Sequence, residues 1–265
     1  MGGLAGEKEG NDEQQMEHGR EARAAWAKSW QEVDVTLAHR DVFYYMDRIK
    51  QAYVRRLLPP GSRCLEVGCG SGRLSALLAR DGHQLTCMDY TLEALHAAQR
   101  NFASAQLSGR FVQGDAFALP FAAGSFDAVF STGLLEHFED PLPVVAEMTR
   151  VLRPGGIFFS DIVPRKFSLL RAFEFMRPQR AVFERAFTRD EILEMLEHAG
   201  LKSAGTFPAG VFPPFWLPII VRSATYRRAH GRVVRSLLPV LRRLDRSWLA
   251  EKLGFYWFCW GYKRP

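Results

Sequence analysis

The chain has 265 residues, enough to bury one full hydrophobic core, and its apolar fraction of 47% and charged fraction of 24% are ordinary for a globular protein. Its four cysteines form no C-x-x-C pair, which argues against a zinc cluster or a disulfide framework. The polar N-terminus lacks a secretory signal and no run of 18 apolar residues is present, so we expect a cytoplasmic protein without a membrane-spanning helix.

The charge is distributed unevenly along the chain. Residues 1–160 hold 16 Lys and Arg against 20 Asp and Glu, whereas residues 161–265 hold 19 against 9. The net charge of +6 therefore comes from the C-terminal part of the chain.

The chain is expected to begin with a tail and a helical segment. Residues 1–20 are rich in Gly, Glu and Gln, which predicts disorder. Residues 21–58 are predicted to form two helices that carry aromatic residues and end at the Pro-Pro-Gly of residues 59–61. We interpret residues 21–265 as a single domain in which residues 21–58 are an N-terminal helical cap.

A glycine-rich stretch organises the next part of the chain. Three alternate glycines, Gly68, Gly70 and Gly72, follow a short apolar run that contains Glu66, and leucines then recur at helical spacing. This pattern predicts a strand, a tight turn and a helix. Glycines let a ligand approach the backbone closely, and the helix N-terminus offers unpaired N–H groups.

The spacing of these glycines excludes two common nucleotide-binding motifs. A dinucleotide fingerprint would need glycine where the chain has Arg73, and the Walker pattern lacks its Gly-Lys-Ser/Thr. The pattern acid-apolar-G-x-G-x-G instead resembles motif I of the class I S-adenosylmethionine (SAM)-dependent methyltransferases. The resemblance implies that Glu66 and the three glycines bind SAM, with the loop under its methionine part. Glycine-rich turns also occur in other α/β folds, so the motifs downstream must decide.

Asp89 ends the second predicted strand, residues 84–88, and lies 17 residues after Gly72. This spacing is close to that at which an acid meets a ribose in such units. The acid could instead cap the next helix, but Thr91 is better placed for that role. We therefore predict that Asp89 accepts hydrogen bonds from the ribose hydroxyls, and we assign its neighbour Tyr90 to the same cofactor site.

The third predicted strand, residues 110–113, precedes the run G-D-A-x-x-L-P-F, and S-F-D-x-V follows. Both runs resemble the same family. The resemblance implies that Asp115 accepts the adenine amino group and that the backbone N–H of Ala116 serves the ring nitrogen. Without it, Asp115 would be interpreted as a turn residue.

The fourth predicted strand, residues 127–131, leads into a loop that contains His137. Ligands of open α/β sheets bind beyond the carboxyl ends of the strands, so this loop should face the transferred methyl group. We assign Ser131 to the cofactor site and His137 as the catalytic base, since histidine can take a proton near pH 7. His137 could instead orient the loop or pack beside the cofactor.

The resemblance extends over residues 60–162. A helix over residues 142–152 and a strand at 157–161 share the run V-L-R-P-G-G-x-F-F with the family. In small-molecule methyltransferases, N-terminal helices close over SAM, and the resemblance implies the same for residues 21–58. Their aromatic residues could equally belong to the core.

The C-terminal part completes the predicted fold. A helix that begins at Thr188 precedes a sixth strand at residues 202–206, and an aromatic run at 255–263 is expected to insert antiparallel as the last strand. We therefore predict an α/β protein with a doubly wound, Rossmann-like sheet of seven strands. The sheet would be mostly parallel, with the last strand antiparallel and helices on both faces.

Two insertions, residues 164–187 and 207–253, depart from this pattern. The first lies where the family often builds a substrate lid. The second holds nine Lys and Arg against two Asp and Glu, and its helical spacing aligns Leu237, Leu241 and Trp248. A basic amphipathic helix can bind an anionic membrane, or its apolar side can dock on its own domain.

Together the motifs predict a SAM-dependent methyltransferase that acts on O, N or C of a small molecule, without a metal. A nucleic-acid methyltransferase would suit the basic tail, but residues 131–134 lack the acid or Asn, prolines and aromatic residue that amino-methylating enzymes carry there. Two further hypotheses are a SAM-binding regulator or scaffold without turnover, and an aminopropyltransferase on the same fold. The sequence does not indicate the oligomeric state.

Overall fold

The structure is a computed structural model that describes residues 24–28, 30, 42–163, 183–211 and 224–265. A seven-stranded sheet forms its centre, with the strands in the order β3-β2-β1-β4-β5-β7-β6. The strands are β1 (Arg63–Val67), β2 (Gln84–Asp89), β3 (Arg110–Gln113), β4 (Phe126–Thr132), β5 (Leu152–Ile162), β6 (Leu201–Ala209) and β7 (Tyr256–Lys263). Strands β1 to β5 pair in parallel, and β7 is antiparallel to both of its neighbours. The predicted fold class is thus confirmed.

Helices cover both faces of this sheet. They are α1 (Val42–Val54), α2 (Arg73–Arg80), α3 (Leu92–Ser104), α4 (Leu142–Val151), α5 (Arg189–His198), α6 (Ala224–Leu244) and α7 (Trp248–Leu253). One apolar cluster holds residues of α1, α2 and α3, such as Leu77 and Phe102, and the other holds residues of α4 and α5, such as Val145 and Leu196. Strands β1 and β2 are buried after their first residue, as expected for parallel strands with helices on both sides.

The strand order determines where a ligand can bind. The chain moves from β1 outward to β2 and β3, and then returns to the other side of β1 with β4. Loops diverge at such a reversal and leave a crevice beyond the carboxyl ends of the strands. The loops after β1 to β4 carry Gly68, Tyr90, Asp115 and His137, so the fold brings the predicted site residues to one edge of the sheet.

The structure corrects the start of the second insertion. Strand β6 continues to Ala209, where it pairs with Tyr256, so residues 207–209 belong to the sheet. Pro208 is tolerated because β6 is the edge strand and one side of it has no neighbour to receive an N–H. Residues 164–182 of the first insertion and 212–223 of the second lie outside the described residues.

The predicted helix starts agree with the structure where they can be checked. Thr188 caps α5 through a reciprocal pair of bonds with Glu191, which is the predicted capping arrangement. Among the described helices, none is long and apolar enough to cross a lipid bilayer.

Candidate functional site

The glycine turn after β1 has a backbone that favours glycine. Gly68, Gly70 and Gly72 have φ angles of 66°, 52° and 62°, in the left-handed region that other residues adopt only under strain. The N–H of Gly70 donates to Oδ2 of Asp89 at 3.0 Å. This bond ties the turn after β1 to the end of β2, so the two predicted cofactor motifs form one unit.

Aromatic residues of the N-terminal segment lie over this turn. A Cβ atom added to Gly70 would lie 2.5 Å from the ring of Trp30. The ring of Trp26 lies 6.4 Å from that of Trp30 and 5.0 Å from that of His137. Trp26 and Trp30 therefore lie over the glycine turn and the loop after β4 together.

Glu66 lies behind the turn and is buried. Its Oε2 accepts a hydrogen bond from the hydroxyl of Ser75 in α2, and its Oε1 accepts one from Thr132 in β4 at 3.1 Å. Burial raises the pKa of Glu66 to about 7, although both hydroxyls favour its ionised form. Glu66 thus links β1, α2 and β4 and stabilises the turns that follow β1 and β4.

Asp89 is buried, and its carboxylate is held in one orientation. Besides the bond from Gly70 to Oδ2, its Oδ1 accepts from the N–H and the hydroxyl of Thr91, both at 3.0 Å. Burial raises the pKa of Asp89 above its ordinary value, against these bonds. Tyr90 follows, and its carbonyl accepts from Nε2 of Gln113 at 3.1 Å, which links the ends of β2 and β3.

Asp115 is exposed after β3, and its Oδ1 accepts from the N–H of Phe117 at 2.9 Å, as in an Asx turn. Ala116 is half-buried beside it. Phe117 is itself 48% exposed, and its ring lies 5.1 Å from that of Phe138. This aromatic pair was missed by the sequence analysis, although Phe117 stands only two residues after Asp115.

Ser131 lies inside the sheet. It has no exposed surface, and its hydroxyl lies 2.9 Å from the hydroxyl of Ser160, which also donates to the Ser131 carbonyl at 3.0 Å. The side chain that we predicted to contact the cofactor therefore joins β4 to β5 in this structure.

His137 ends a single 3-10 turn, Leu135–His137, directly after β4. Its Nδ1 lies 2.8 Å from the carbonyl oxygen of Phe183, at the described end of the first insertion. A carbonyl can only accept, so Nδ1 carries the proton and Nε2 of the neutral ring is an acceptor. The backbone N–H of Arg185 donates to the carbonyl of Glu136 at 2.6 Å, so the same segment is held at this loop.

A buried group of charged residues lies under α1, and the sequence analysis missed it. Lys50 lies 2.9 Å from Oδ2 of Asp161 at the end of β5, and Asp47 lies 2.8 Å from Nε of Arg73. Burial, followed by the nearby Asp161, raises the pKa of Glu136 to about 8. The available signal was an Asp and a Lys on the buried side of an otherwise apolar helix.

Three side chains beside this group could hold a cation. Glu136, His137 and Glu184 each offer a ligand atom, and these atoms all lie within 4.8 Å of one another. Carboxylate and imidazole are suitable ligands for a divalent metal. The sequence analysis did not find this set because Glu184 is distant along the chain and falls in the expected lid.

Residues 65–160 match the model of a family described as a methyltransferase domain. The chain is 34% identical over 145 residues to the ubiquinone biosynthesis O-methyltransferase of Xanthomonas campestris pv. campestris (strain B100). That alignment covers 54% of this chain and 59% of the relative, so the match spans little more than half of the relative's length.

Two solved structures resemble the fold. A SAM-dependent methyltransferase from Thermotoga maritima, described as a possible histamine N-methyltransferase, has a TM-score of 0.63 at 18% identity. The similarity covers 92% of this chain and 100% of that protein. The cyclase SpnF has a TM-score of 0.58 at 23% identity, and the similarity covers 82% of this chain and 80% of that protein. These similarities establish the fold, which serves more than one reaction.

Proposed function

We propose that the protein transfers the methyl group of SAM to O, N or C of a small molecule, because residues 65–160 match the model of a methyltransferase domain and the fold resembles that of a SAM-dependent methyltransferase. The observation that carries this proposal is the hydrogen bond from Gly70 to Asp89, which joins the glycine turn to the end of β2. Because of this bond, the left-handed backbone of the turn and the fixed carboxylate of Asp89 lie at the same edge of the sheet.

The residues present fit SAM. The three glycines give the turn its left-handed backbone, and Asp89 would accept from the ribose hydroxyls, with Tyr90 beside it. Asp115 and the N–H of Ala116 would serve the adenine. Glu66 would not contact SAM directly; its hydrogen bonds to Ser75 and Thr132 would hold the glycine turn in position.

SAM supplies an electrophilic methyl group on a sulfonium, whose leaving thioether is neutral, so the chain has little acid catalysis to provide. Its main contribution is to position the acceptor, which can provide much of the rate enhancement. His137 would take the acceptor proton at Nε2, because Nδ1 is engaged with the carbonyl of Phe183. Trp26 packs against the same ring and would exclude water from it.

The name of the Xanthomonas relative makes hydroxylated precursors of ubiquinone the first acceptors to test. The protein should be incubated with methyl-labelled SAM and with fractionated lipid and small-molecule extracts. Label transfer to one fraction supports the proposal. SAM binding without transfer to any fraction supports the second candidate, a SAM-binding protein with another role, since the fold also occurs in a cyclase.

We further propose that α6 contacts a membrane, so that the enzyme acts at the cytoplasmic surface of a bilayer. Its C-terminal end docks on the domain, since Asp245 accepts from the hydroxyl of Tyr53 at 2.7 Å. Its other side exposes Val233, Leu237 and Val240 at helical spacing. Two exposed arginines, Arg232 and Arg243, flank this apolar side. The sequence did not decide between docking and membrane contact. In the structure the two would use different sides of α6.

A further inference from the structure

Three buried polar atoms under α1 have no hydrogen-bond partner among the residues that the structure describes. They are Oε2 of Glu136, Oδ1 of Asp161 and the hydroxyl of Tyr256. Their residues are 4%, 8% and 2% exposed. Buried polar atoms in native proteins nearly always have a partner, because an unmade bond destabilises the fold.

These three atoms belong to one place. Nζ of Lys50 lies 2.9 Å from Asp161 and 5.2 Å from the centre of the Tyr256 ring. Asp161 is also the charged residue with the greatest electrostatic influence on both Glu136 and Tyr256. The cluster is next to His137 in the chain, at the carboxyl ends of β4 and β5. It therefore lies on the side of the crevice where the proposed function places the methyl acceptor.

The chemistry of the cluster limits what it can bind. Lys50 is engaged by Asp161, so its charge is already compensated. The unpartnered atoms are an oxygen of Asp161, which accepts, the Tyr256 hydroxyl, which can accept or donate, and an oxygen of Glu136, which can donate when the carboxyl is protonated. Such a set suits a ligand group that brings a hydrogen-bond donor to Asp161, and it disfavours a phosphate or a carboxylate.

We propose that Glu136, Asp161 and Tyr256 form a subsite that binds hydrogen-bond-donating groups, hydroxyl or amine, of the methyl acceptor. Lys50 is a positioning residue that holds Asp161. This inference rests on the proposed methyltransferase function and adds to it the chemical class of the acceptor. Hydroxyl and amine acceptors share this chemistry, and two probes distinguish them.

The test is the binding of small probes to the protein saturated with S-adenosylhomocysteine, the demethylated product of SAM. Catechol provides two hydroxyl donors, benzylamine provides an amine, and veratrole is the ring of catechol without donors. We expect catechol or benzylamine to bind at least tenfold more tightly than veratrole. The Tyr256→Phe variant should weaken that binding at least tenfold, and Glu136→Gln should weaken it as well.

Thermal stability separates a ligand subsite from a structural role. Tyr256→Phe removes a hydroxyl without a partner, so its melting temperature should be unchanged or higher. Tyr53→Phe is the matched control, because that hydroxyl donates to Asp245 and is not one of the three unpartnered atoms. It should lower the melting temperature and leave probe binding unchanged.

The outcomes are distinct. If the wild type binds S-adenosylhomocysteine but discriminates neither catechol nor benzylamine from veratrole, the subsite is wrong and the proposed function stands. Equal probe affinities for the wild type and Tyr256→Phe would also overturn it and would assign the cluster to buried water. Failure to bind S-adenosylhomocysteine counts against the proposed function itself. If the protein without S-adenosylhomocysteine still binds catechol or benzylamine more tightly than veratrole, the subsite is supported.

Discussion

The two sides of the crevice are built differently. The proposed cofactor side, which comprises residues 66–72, Asp89 and Asp115, is held mainly by hydrogen bonds between neighbouring strand ends and turns. Asp89, for example, binds Thr91 two residues away and Gly70 at the neighbouring strand end. The acceptor side, which comprises Lys50, residues 136–137, Asp161 and Tyr256, gathers side chains from α1, β5 and β7.

This difference indicates that the two sides bind their ligands in different ways. The two buried carboxyl groups of the proposed cofactor side, Glu66 and Asp89, accept hydrogen bonds from the protein at both oxygens, so the turn and Asp89 are preorganised. The acceptor side contains buried polar atoms without partners among the described residues. A satisfied site favours one fixed ligand, whereas an unsatisfied one depends on its ligand for its bonds. Mutations on the two sides should therefore change different measurements.

The largest effect is expected on the acceptor side. His137→Ala should lower kcat by about a hundredfold or more, the usual contribution of general acid–base catalysis, while the affinity for SAM stays the same. His198→Ala, at the exposed C-terminal end of α5, is the control and should leave both quantities unchanged. A His137→Ala enzyme with normal kcat would remove this residue from the chemistry. The measurement is steady-state methyl transfer with SAM calorimetry.

The next prediction concerns Glu66, whose hydrogen bonds connect the turn strand β1 to α2 and to the end of β4. Its pKa is about 7 in the folded protein and 4.5 ordinarily, so the folded state binds more protons between these values. The stability from this group is present below pH 4.5 and is lost as pH rises to 7, a change of about 3 kcal/mol. Glu66→Gln should abolish that loss, so the variant should gain stability relative to wild type between pH 5 and pH 8 in chemical denaturation.

The control for this measurement is Glu147, whose hydrogen bond to Arg150 lowers its pKa. The sign is therefore opposite, and Glu147→Gln should become less stable relative to wild type as pH rises through the acid range. If Glu66→Gln follows the same pH profile as wild type, the Glu66 carboxyl does not titrate abnormally in the folded protein.

The glycine turn is the next test, on the cofactor side. Gly70→Ala would force a Cβ to within 2.5 Å of the Trp30 ring, so the turn and its cap must move apart. We expect SAM affinity to fall by about thirtyfold, that is, by about 2 kcal/mol. Gly82→Ala has a similar left-handed backbone, with φ of 90°, but nothing within 4 Å of the new Cβ. It should cost stability by about 1 kcal/mol and leave SAM affinity intact.

Asp89→Ala should weaken SAM binding by more than about tenfold without unfolding the protein, because the variant loses the acceptor for the ribose and for Gly70. Asp127→Ala is the control, since this carboxylate pairs with Arg63 and Arg153 near the start of β4. It should change stability only. Isothermal calorimetry with SAM distinguishes the two, and an unchanged affinity in Asp89→Ala would refute the ribose assignment.

The same division explains what could be predicted from the sequence. The fold depends on local patterns, such as glycines at alternate positions and an acid at a strand end, and it was predicted from them. The residues assigned to the cofactor do lie together at one edge of the sheet. The cluster of Lys50, Asp161 and Tyr256 depends on the antiparallel insertion of β7 beside β5, which brings together residues more than 90 positions apart. No spacing in the sequence encodes such a contact.

Ser131 illustrates the converse. Its position at the end of a strand suggested contact with a ligand, but alternate residues of a strand face opposite ways, and the hydroxyl meets Ser160 on β5 instead. Sequence position indicated the neighbourhood of this residue and not the direction of its side chain.

The last prediction concerns α6, far from the crevice, and leaves catalysis and SAM binding unchanged. The arginines that flank its exposed apolar side should bind anionic lipid, with about 1 kcal/mol from each residue near the surface. Arg232→Glu/Arg243→Glu should therefore weaken binding to phosphatidylserine vesicles by at least about thirtyfold in co-sedimentation, and added salt should weaken the wild type as well. These two arginines are exposed, so the fold should tolerate the exchange.

Arg242 offers the matched comparison, because it is half-buried and lies over the ring of Tyr53 at 5.9 Å on the docked side of the helix. Arg242→Gln should lower stability by about 0.5 to 1 kcal/mol through the lost contact and should reduce vesicle binding less than the double variant. If wild-type protein does not bind anionic vesicles even at low salt, α6 has only the docking role that Asp245 and Tyr53 already give it. A lipophilic acceptor would then have to reach the crevice from solution.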